Sequence, residues 1–186
     1  MKKSIFIFAV AAMTALFTSC QKVEVEGTLV QDLAGVWVVW VDIVDDIADT
    51  VVVEDFNEGA IKILTYNNTD NEPILYINDQ KGFWEFIVQV PCDPKALTFG
   101  SEEYIANENY ESGVMVTGGK VVKGGTETPS GAVADYIQFD VAFDDDDAGA
   151  AFEMPELEGM TIAEAYGGTK YRMYGFRYTG LAADEL

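Results

Sequence analysis

The chain contains no histidine, and only two of its 186 residues are cysteines. The absence of histidine excludes Ser-His-Asp and Cys-His hydrolases and metal sites with histidine ligands. No serine lies in a Gly-x-Ser-x-Gly motif, which argues further against an α/β-hydrolase. Two carboxylates would suffice for glycoside hydrolysis, but no pair stands out among 32 acidic residues. The sequence therefore indicates no catalytic residue, no metal site and no cofactor, and it leaves enzymatic activity open.

Positive charge is also scarce, because 11 lysines and arginines face 32 acidic residues and give a net charge of -21. Such a chain will not bind nucleic acid or an anionic membrane surface through charge. Any attachment to a membrane must come from a lipid.

Long apolar runs are few, and the clearest is the thirteen-residue stretch from Ile5 to Phe17. This stretch is too short to cross a hydrocarbon core of about 30 Å. Because Lys2 and Lys3 precede it, it predicts a secretory signal. The following Phe17-Thr18-Ser19-Cys20 resembles the lipobox of bacterial lipoproteins, which are cleaved before the cysteine and acylated on it. This resemblance implies a signal over residues 1–19 and a lipid on Cys20. The alternative is an ordinary secretory signal followed by an incidental cysteine.

Cleavage before Cys20 would leave 167 residues and remove Lys2 and Lys3, which changes the net charge from -21 to -23. That length is enough for one domain. We expect a tether over residues 20–32 and the domain over residues 33–186. With Cys20 acylated, Cys92 has no partner for a disulfide, and without histidine it has no base of the usual kind, so we interpret it as structural.

From Leu33 onward the apolar residues recur mainly with a period of two, which predicts β-strands. The predicted strands are Gly35–Ile43, Val51–Val53, Ile61–Tyr66, Ile74–Ile77, Phe83–Val90, 114–117, 121–123, Asp135–Phe143 and Tyr171–Tyr178.

Turn signals separate these strands. Asn78–Gly82 predicts a hairpin onto the strand that starts at Phe83, and Gly118-Gly119 predicts a two-residue hairpin. Gly124–Gly131 predicts a loop. The clearest helix signal is a short segment over Met160–Tyr166, with Thr161 as its N-cap and Glu164 three residues later.

Many strands with short turns predict an all-β, antiparallel barrel or sandwich. We favour the barrel, because closure removes the exposed strand edges.

Three stretches together resemble a known family. They are Leu33–Trp37; Ile63–Asn67 with Leu75–Asp79 and Phe83–Phe86; and Gly175–Gly180 with the acidic Asp184-Glu185. They resemble the lipid-binding putative hydrolases, a family of Gram-negative lipoproteins. The resemblance implies a lipocalin-like barrel of about eight strands and a place in the cell envelope. The hydrolase part of that description has no catalytic motif that maps onto this chain.

Lipocalins also begin with Gly-x-Trp, and an arginine of a late strand packs on that tryptophan at the closed end of the barrel. Gly35 and Trp37 match the first half of this pattern, and Arg172 and Arg177 are the two late candidates for the arginine. The resemblance implies a cation–π contact at the barrel base. The alternative is that Trp37 is an ordinary core residue.

Two short motifs concern modification and metal binding. Asp49-Thr50-Val51 resembles an O-glycosylation site of exported Gram-negative proteins, which makes Thr50 a candidate. The run Asp144–Asp147 does not fit an EF-hand, since a loop starting at Asp144 has Pro155 where the bidentate glutamate belongs. We interpret this run as a solvated acidic loop.

The alternating strands also suggest a ligand site. The best candidates for a hydrophobic ligand site are inward-facing residues, namely Trp84, Phe86, Phe139 and Val141. The sequence thus favours a lipoprotein of the outer membrane that binds a lipid or another hydrophobic small molecule. The alternatives are a filled barrel that serves as a structural or interaction subunit, and a carboxylate-based hydrolase.

Overall fold

The computed structural model describes residues 27–185, so Cys20 and the predicted signal lie outside the described residues. It contains strands β1 (Gly35–Asp45), β2 (Thr50–Val53), β3 (Ile61–Asn67), β4 (Ile74–Asn78), β5 (Ile87–Asp93), β6 (Thr98–Phe99), β7 (Ile105–Ala106), β8 (Gly113–Glu127), β9 (Val133–Phe143) and β10 (Lys170–Arg177). Its helices are α1 (Ala148–Phe152) and α2 (Ile162–Ala165), with 3-10 turns at Pro155–Leu157 and Ala182–Asp184.

The strands form a closed antiparallel barrel. Eight of them follow one another around the ring in the order β1, β3, β4, β5, β6, β8, β9, β10. The ring closes because β10 also pairs with β1, from Trp37 opposite Arg177 to Val44 opposite Lys170. Strand β2 pairs with the end of β1 beyond β3, and β7 pairs with β8. The prediction of an eight-stranded antiparallel barrel is therefore confirmed.

The barrel interior is built from the alternating residues of the strands. On β1 the side chains of Trp37, Val39, Val41 and Ile43 are fully buried. On β9 the same holds for Ile137, Phe139 and Val141. Each such side chain contributes about 1.5–3 kcal/mol when it leaves water, so this lining supplies most of the driving force for closure.

The predicted hairpin at Gly118-Gly119 is wrong. Strand β8 runs through both glycines, and its pairing with β9 shifts between Thr117 and Lys120. The glycine pair forms a bulge because Gly118 adopts a positive φ of 63°, while a Cβ on Gly119 would collide with Phe99. The predicted loop from Gly124 is also too long, because β8 continues to Glu127.

The predicted strand over Phe83–Val90 begins too early. Strand β5 starts at Ile87, and residues 79–86 form a longer connection in which Glu85 has a positive φ of 54°. A β-strand does not accommodate that backbone conformation.

The predicted short helix is confirmed as α2. Thr161 caps it, with the Thr161 hydroxyl accepting from the Glu164 amide and the Glu164 carboxylate accepting from the Thr161 amide. No helix within residues 27–185 has the length and hydropathy that a bilayer crossing requires.

Candidate functional site

The base of the barrel is closed by an indole. The Trp37 side chain is fully buried, and its Nε1 donates to the Thr65 hydroxyl at 2.8 Å, which in turn donates to the Leu33 carbonyl at 2.7 Å. The Arg177 guanidinium carbon lies 4.3 Å from the centre of the Trp37 ring. Gly35 allows this approach, because a Cβ there would collide with the Arg177 guanidinium. The lipocalin-like stack thus uses Arg177.

Arg172 faces away from the base. Its Nε and Nη2 donate to the two oxygens of Asp140 at 2.7 and 3.0 Å, and its Nη1 donates to Asp49 at 3.0 Å. This bidentate pair lies on the outside of the barrel, since the neighbouring residues Tyr171 and Met173 point inward and are buried. Of the two arginines between which the sequence could not decide, Arg172 therefore does not contribute to the base.

Three of the four predicted ligand residues belong to a filled interior. Phe86, Phe139 and Val141 have no solvent-accessible surface, and they share one hydrophobic core with the other inward-facing residues. A side chain that lines a cavity large enough for water would show some accessible surface. These three residues therefore do not line an open site in this structure.

Trp84, the fourth, lies at the opposite end of the barrel from Trp37. It belongs to a group of rings that we call the aromatic plug: Phe83, Trp84, Phe143 and Tyr171. Trp84 stacks on Phe143 with 4.7 Å between ring centres, and Phe83 meets Tyr171 edge-on at 5.1 Å. Tyr171 pairs with Ile43, six residues along β1 from Trp37, which places the plug about 20 Å from the base.

A single carboxylate holds the plug loop. Asp79 is buried, and its Oδ2 accepts hydrogen bonds from the amides of Phe83, Trp84 and Glu85 at 2.8–3.1 Å. Its Oδ1 accepts from the amide of Lys81 at 3.0 Å. The amides of Phe83, Trp84 and Glu85, which the predicted strand would have paired with a neighbouring strand, are satisfied in this way, which explains why residues 79–86 leave the sheet.

The acidic run Asp144–Asp147 closes the same end, and each carboxylate has its own partner. Asp144 accepts from the Gly113 amide at 2.6 Å, and Asp145 accepts from Trp84 Nε1 at 3.2 Å. Asp146 accepts from the Tyr171 hydroxyl and the Ile162 amide, both at 2.8 Å, and Asp147 caps α1. Within residues 27–185 no group of three or more carboxylates or cysteines is arranged to hold a metal ion. The run is thus a set of structural anchors, and Asp144 and Asp145 are also solvent-exposed.

Burial shifts the proton equilibria at this end. It raises the pKa of Asp146, and the neighbouring charges of Asp145 and Glu164 add to that effect against the hydrogen bonds that the carboxylate accepts. Burial also raises the pKa of Tyr171, as does its hydrogen bond to Asp146. Tyr171 therefore stays a donor, and Asp146 is easier to protonate than an exposed aspartate.

A cleft lies in the barrel wall. It has a volume of about 600 Å³ and is lined by residues 91–93, 98–102 and 117–120. Strand β6 forms its back and makes only two residue pairs with β5 and two with β8, against eight between β1 and β10. We call this weakly paired stretch the β6 seam.

Phe99 separates the cleft from the barrel interior. Its ring lines the cleft, is 6% exposed, and lies 5.6 Å from the ring of Phe139. Phe139, a predicted ligand residue, is therefore one ring away from an open cavity. The sequence offered little signal for this cleft, because β6 is only two residues long and the glycine pair opposite it predicts a turn.

Cys92 also lines the cleft and is half-buried with a free thiol. Burial raises the pKa of this thiol, and the negative charge of Asp93 adds to the shift. The thiol is therefore mostly protonated at neutral pH, which agrees with a structural cysteine.

Thr50, the candidate glycosylation site, begins β2 and is exposed. Its neighbour Asp49 adopts a positive φ of 49° and pairs with Arg172. Glycosylation of Thr50 stays a prediction.

The chain can be compared with known proteins. No curated protein matches the chain. A family model described as "Lipid-binding putative hydrolase" matches residues 22–182, which is most of the chain. This chain, a closed eight-stranded barrel with Trp37 and Arg177 at its base, thus belongs to the family of lipid-binding putative hydrolases.

Proposed function

We propose that this protein is a lipoprotein, anchored to the outer membrane by a lipid on Cys20, whose barrel binds a lipid or another hydrophobic small molecule at the cleft. The family supports a lipid as the ligand class. The sequence around Cys20 supports the anchor, since two or three acyl chains at about 0.8 kcal/mol per buried CH₂ hold a protein firmly.

The observation that carries the proposal is the position of the cleft. Its volume of about 600 Å³ falls within the range of small-molecule sites. It opens onto the β6 seam, where few strand pairs must separate, and the Phe99 ring that lines it lies 5.6 Å from the ring of Phe139. An acyl chain that displaced Phe99 would reach the apolar interior and gain about 25 cal/mol for each Å² that it buries.

The native thiol of Cys92 gives a direct test. The domain without residues 1–20 has Cys92 as its single cysteine. Native mass spectrometry after expression in lipid-rich cells should show a co-purified lipid. Labelling of Cys92 by a maleimide should be at least fivefold slower in the lipid-bound protein than after delipidation. Conversely, protein already labelled at Cys92 should not take up lipid.

The matched control moves the thiol to another surface. In the Cys92→Ala/Ala150→Cys variant the thiol lies on the exposed face of α1, so labelling should neither depend on lipid nor prevent its uptake. A lipid that binds without protecting Cys92 would place the site elsewhere. If the protein from lipid-rich cells shows only the mass of the ligand-free chain, that result would count against lipid binding itself.

One observation favours the structural alternative. The interior is filled, because Phe86, Phe139 and Val141 are fully buried and the aromatic plug and Trp37 occupy the two ends. A barrel of this kind can act as a rigid subunit on the envelope without any ligand. The apo mass described above, together with a stable protein partner recovered from the membrane, would support this alternative.

The anchor has its own test. Globomycin inhibits the peptidase that cleaves lipoprotein signals, so treated cells should accumulate the longer precursor. The Cys20→Ser variant should lose the acyl mass and leave the membrane fraction. A mature size that the drug does not change would argue against acylation.

A further inference from the structure

A second groove lies on the outside of the barrel, on strands β1, β9 and β10. We call it the outer groove. It has a volume of about 370 Å³, and its floor is made of aromatic rings: Trp40, Tyr136, Tyr174 and Phe176. These residues point outward because their strand neighbours, such as Val39, Val41 and Met173, fill the interior. The two cavities use different parts of β8, since residues 117–120 line the cleft and residues 126–127 line the outer groove.

The rings of the floor lie side by side. Trp40 and Tyr174 are direct partners across the β1–β10 pair, with 6.3 Å between ring centres and 29° between their planes. The Phe176 ring centre lies 6.0 Å from that of Trp40. Trp40, Tyr136 and Tyr174 stay partly exposed, so the floor offers an electron-rich surface to a ligand.

Residues 126–129 form a roof over these rings. A buried carboxylate fixes the roof, since Asp184 accepts from the Ser130 amide at 2.8 Å and from the Ser130 hydroxyl at 3.0 Å. Thr179 donates to the same carboxylate. The C-terminal 3-10 turn thus holds the roof in place and gives the outer groove a defined width.

One end of the floor is negatively charged. Asp42 follows Trp40 on the same face of β1, is 4% exposed, and accepts from the Asp55 amide at 2.9 Å. Burial raises the pKa of the Tyr174 hydroxyl, and the charges of Asp42, Asp55 and Glu54 raise it further. Arg172 lies nearby, but Asp140 and Asp49 already neutralise it.

We propose that the outer groove binds a small organic cation, of the quaternary ammonium or alkylamine class, with its positive head over Trp40 and Tyr174 near Asp42 and its apolar part under the roof. Ring faces attract cations within about 6 Å, and quaternary ammonium groups are bound in this way elsewhere. The same side of the barrel already holds such a contact, with the Lys62 ammonium 4.3 Å from the centre of the Tyr178 ring. The net charge of -21 also favours a cation over an anion.

The test uses the full chain in a neutral maltoside detergent and ligand-observed NMR titration. The probes are hexyltrimethylammonium, hexanol and hexanesulfonate, which share the alkyl chain and differ in charge. We expect the ammonium to bind at least tenfold more tightly than hexanol, and the sulfonate not to bind. Raising the salt from 0.05 to 0.5 M should weaken binding of the ammonium several-fold.

Variants locate the site. Trp40→Leu should weaken ammonium binding at least tenfold, and Asp42→Asn about threefold. Tyr66→Leu is the matched control, because Tyr66 stacks on Tyr76 on a different outer face and should leave binding unchanged. If Trp40→Leu does not fold, Tyr174→Leu tests the same floor.

Three results would overturn the proposal: no ammonium binding, equal binding of hexanol, or equal losses in the Trp40 or Tyr174 variant and in Tyr66→Leu. The proposal does not depend on lipid binding at the cleft. Labelling Cys92 should leave ammonium binding intact, so the two sites can fail separately.

Discussion

Arg177 and Trp37 face each other across the junction at which the last strand of the barrel meets the first. They are direct partners in the β1–β10 pairing, and the guanidinium carbon lies 4.3 Å from the ring centre. Arg177 also donates to the carbonyls of Ala34 and Asp32 and to the carboxylate of Asp135. One side chain thus joins β1, β9, β10 and the segment before β1, and this arrangement can exist only when the ring is closed.

Replacement of Arg177 by methionine should therefore weaken the whole barrel. The variant keeps much of the apolar contact but loses the cation–π contact, leaves the Ala34 and Asp32 carbonyls without this donor, and removes one of the three donors to Asp135, which keeps Lys123 and the Gly124 amide. We expect the free energy of unfolding to fall by about 2–3 kcal/mol. The control is Lys62→Met, which removes the exposed contact with Tyr178 and should cost less than about 1 kcal/mol. Urea unfolding measures the free energy of unfolding of both variants. Equal losses of stability would contradict the role assigned to Arg177.

Removal of the Asp79 carboxylate should loosen the aromatic plug. In Asp79→Ala the amides of Phe83, Trp84 and Glu85 lose their acceptor inside the protein, and we expect a loss of about 2–3 kcal/mol. Hydrogen exchange at these three amides should become much faster.

Asp93→Ala is the control for Asp79→Ala. Asp93 accepts from the amides of Lys95 and Ala96 in an exposed turn and should cost less than about 1 kcal/mol. Unchanged exchange at residues 83–85 in Asp79→Ala would show that the carboxylate does not hold the plug.

The parts of the fold that the sequence predicted well are those where alternation alone decides the structure. Asp135–Phe143 alternates clearly between buried and outward positions, and the strands over Gly35–Ile43 and Asp135–Phe143 match the prediction closely. Thr161 and Glu164 predicted α2 because a capping box is a local interaction between residues three apart. The choice between Arg172 and Arg177 required the register of β10 against β1, which the sequence does not contain.

The errors came from residues whose partners are distant in the sequence. Phe83–Phe86 has the pattern of a strand. The amides of residues 83–85, however, donate to the Asp79 carboxylate and not to a neighbouring strand. Gly118-Gly119 has the composition of a hairpin turn. Because Gly119 packs closely against Phe99, the pair forms a bulge within β8 instead of a turn. Phe86, Phe139 and Val141 fill the interior in this structure, because their inward direction could be predicted and the space left beside them could not.

Asp184 and Asp146 should give opposite dependences of the free energy of unfolding on pH. Burial raises the pKa of Asp184, but the hydrogen bonds from Thr179 and Ser130 outweigh burial, and the net shift is downward. A lowered pKa means that ionised Asp184 stabilises the protein above its ordinary pKa near 4, and that this contribution is lost as the pH falls below it. Asp184→Asn should therefore be less stable than the wild type at pH 7, and the difference should shrink between about pH 4 and pH 2.

Asp146 should give the opposite dependence of stability on pH, because burial raises its pKa. Its contribution to stability is fully present below its ordinary pKa and is lost as the pH rises through the raised value. The difference between wild type and Asp146→Asn should therefore grow in favour of the wild type as the pH falls. Urea unfolding from pH 7 to pH 2 measures both differences, and curves that run parallel for the two variants would contradict the assigned shifts.

The two glycines of the β8 bulge should tolerate different substitutions. Gly118 has a positive φ of 63° and nothing within 4 Å of an added Cβ, so asparagine, which adopts this conformation readily, should cost less than about 0.5 kcal/mol. Gly119 needs no positive φ, but a Cβ there meets both the ring and the backbone carbonyl of Phe99. Since a backbone atom cannot move aside, Gly119→Asn should cost about 1–3 kcal/mol and disturb the β6 seam. In a type I′ hairpin both positions would have positive φ and would accept asparagine equally, so equal costs in urea unfolding would favour the turn over the bulge.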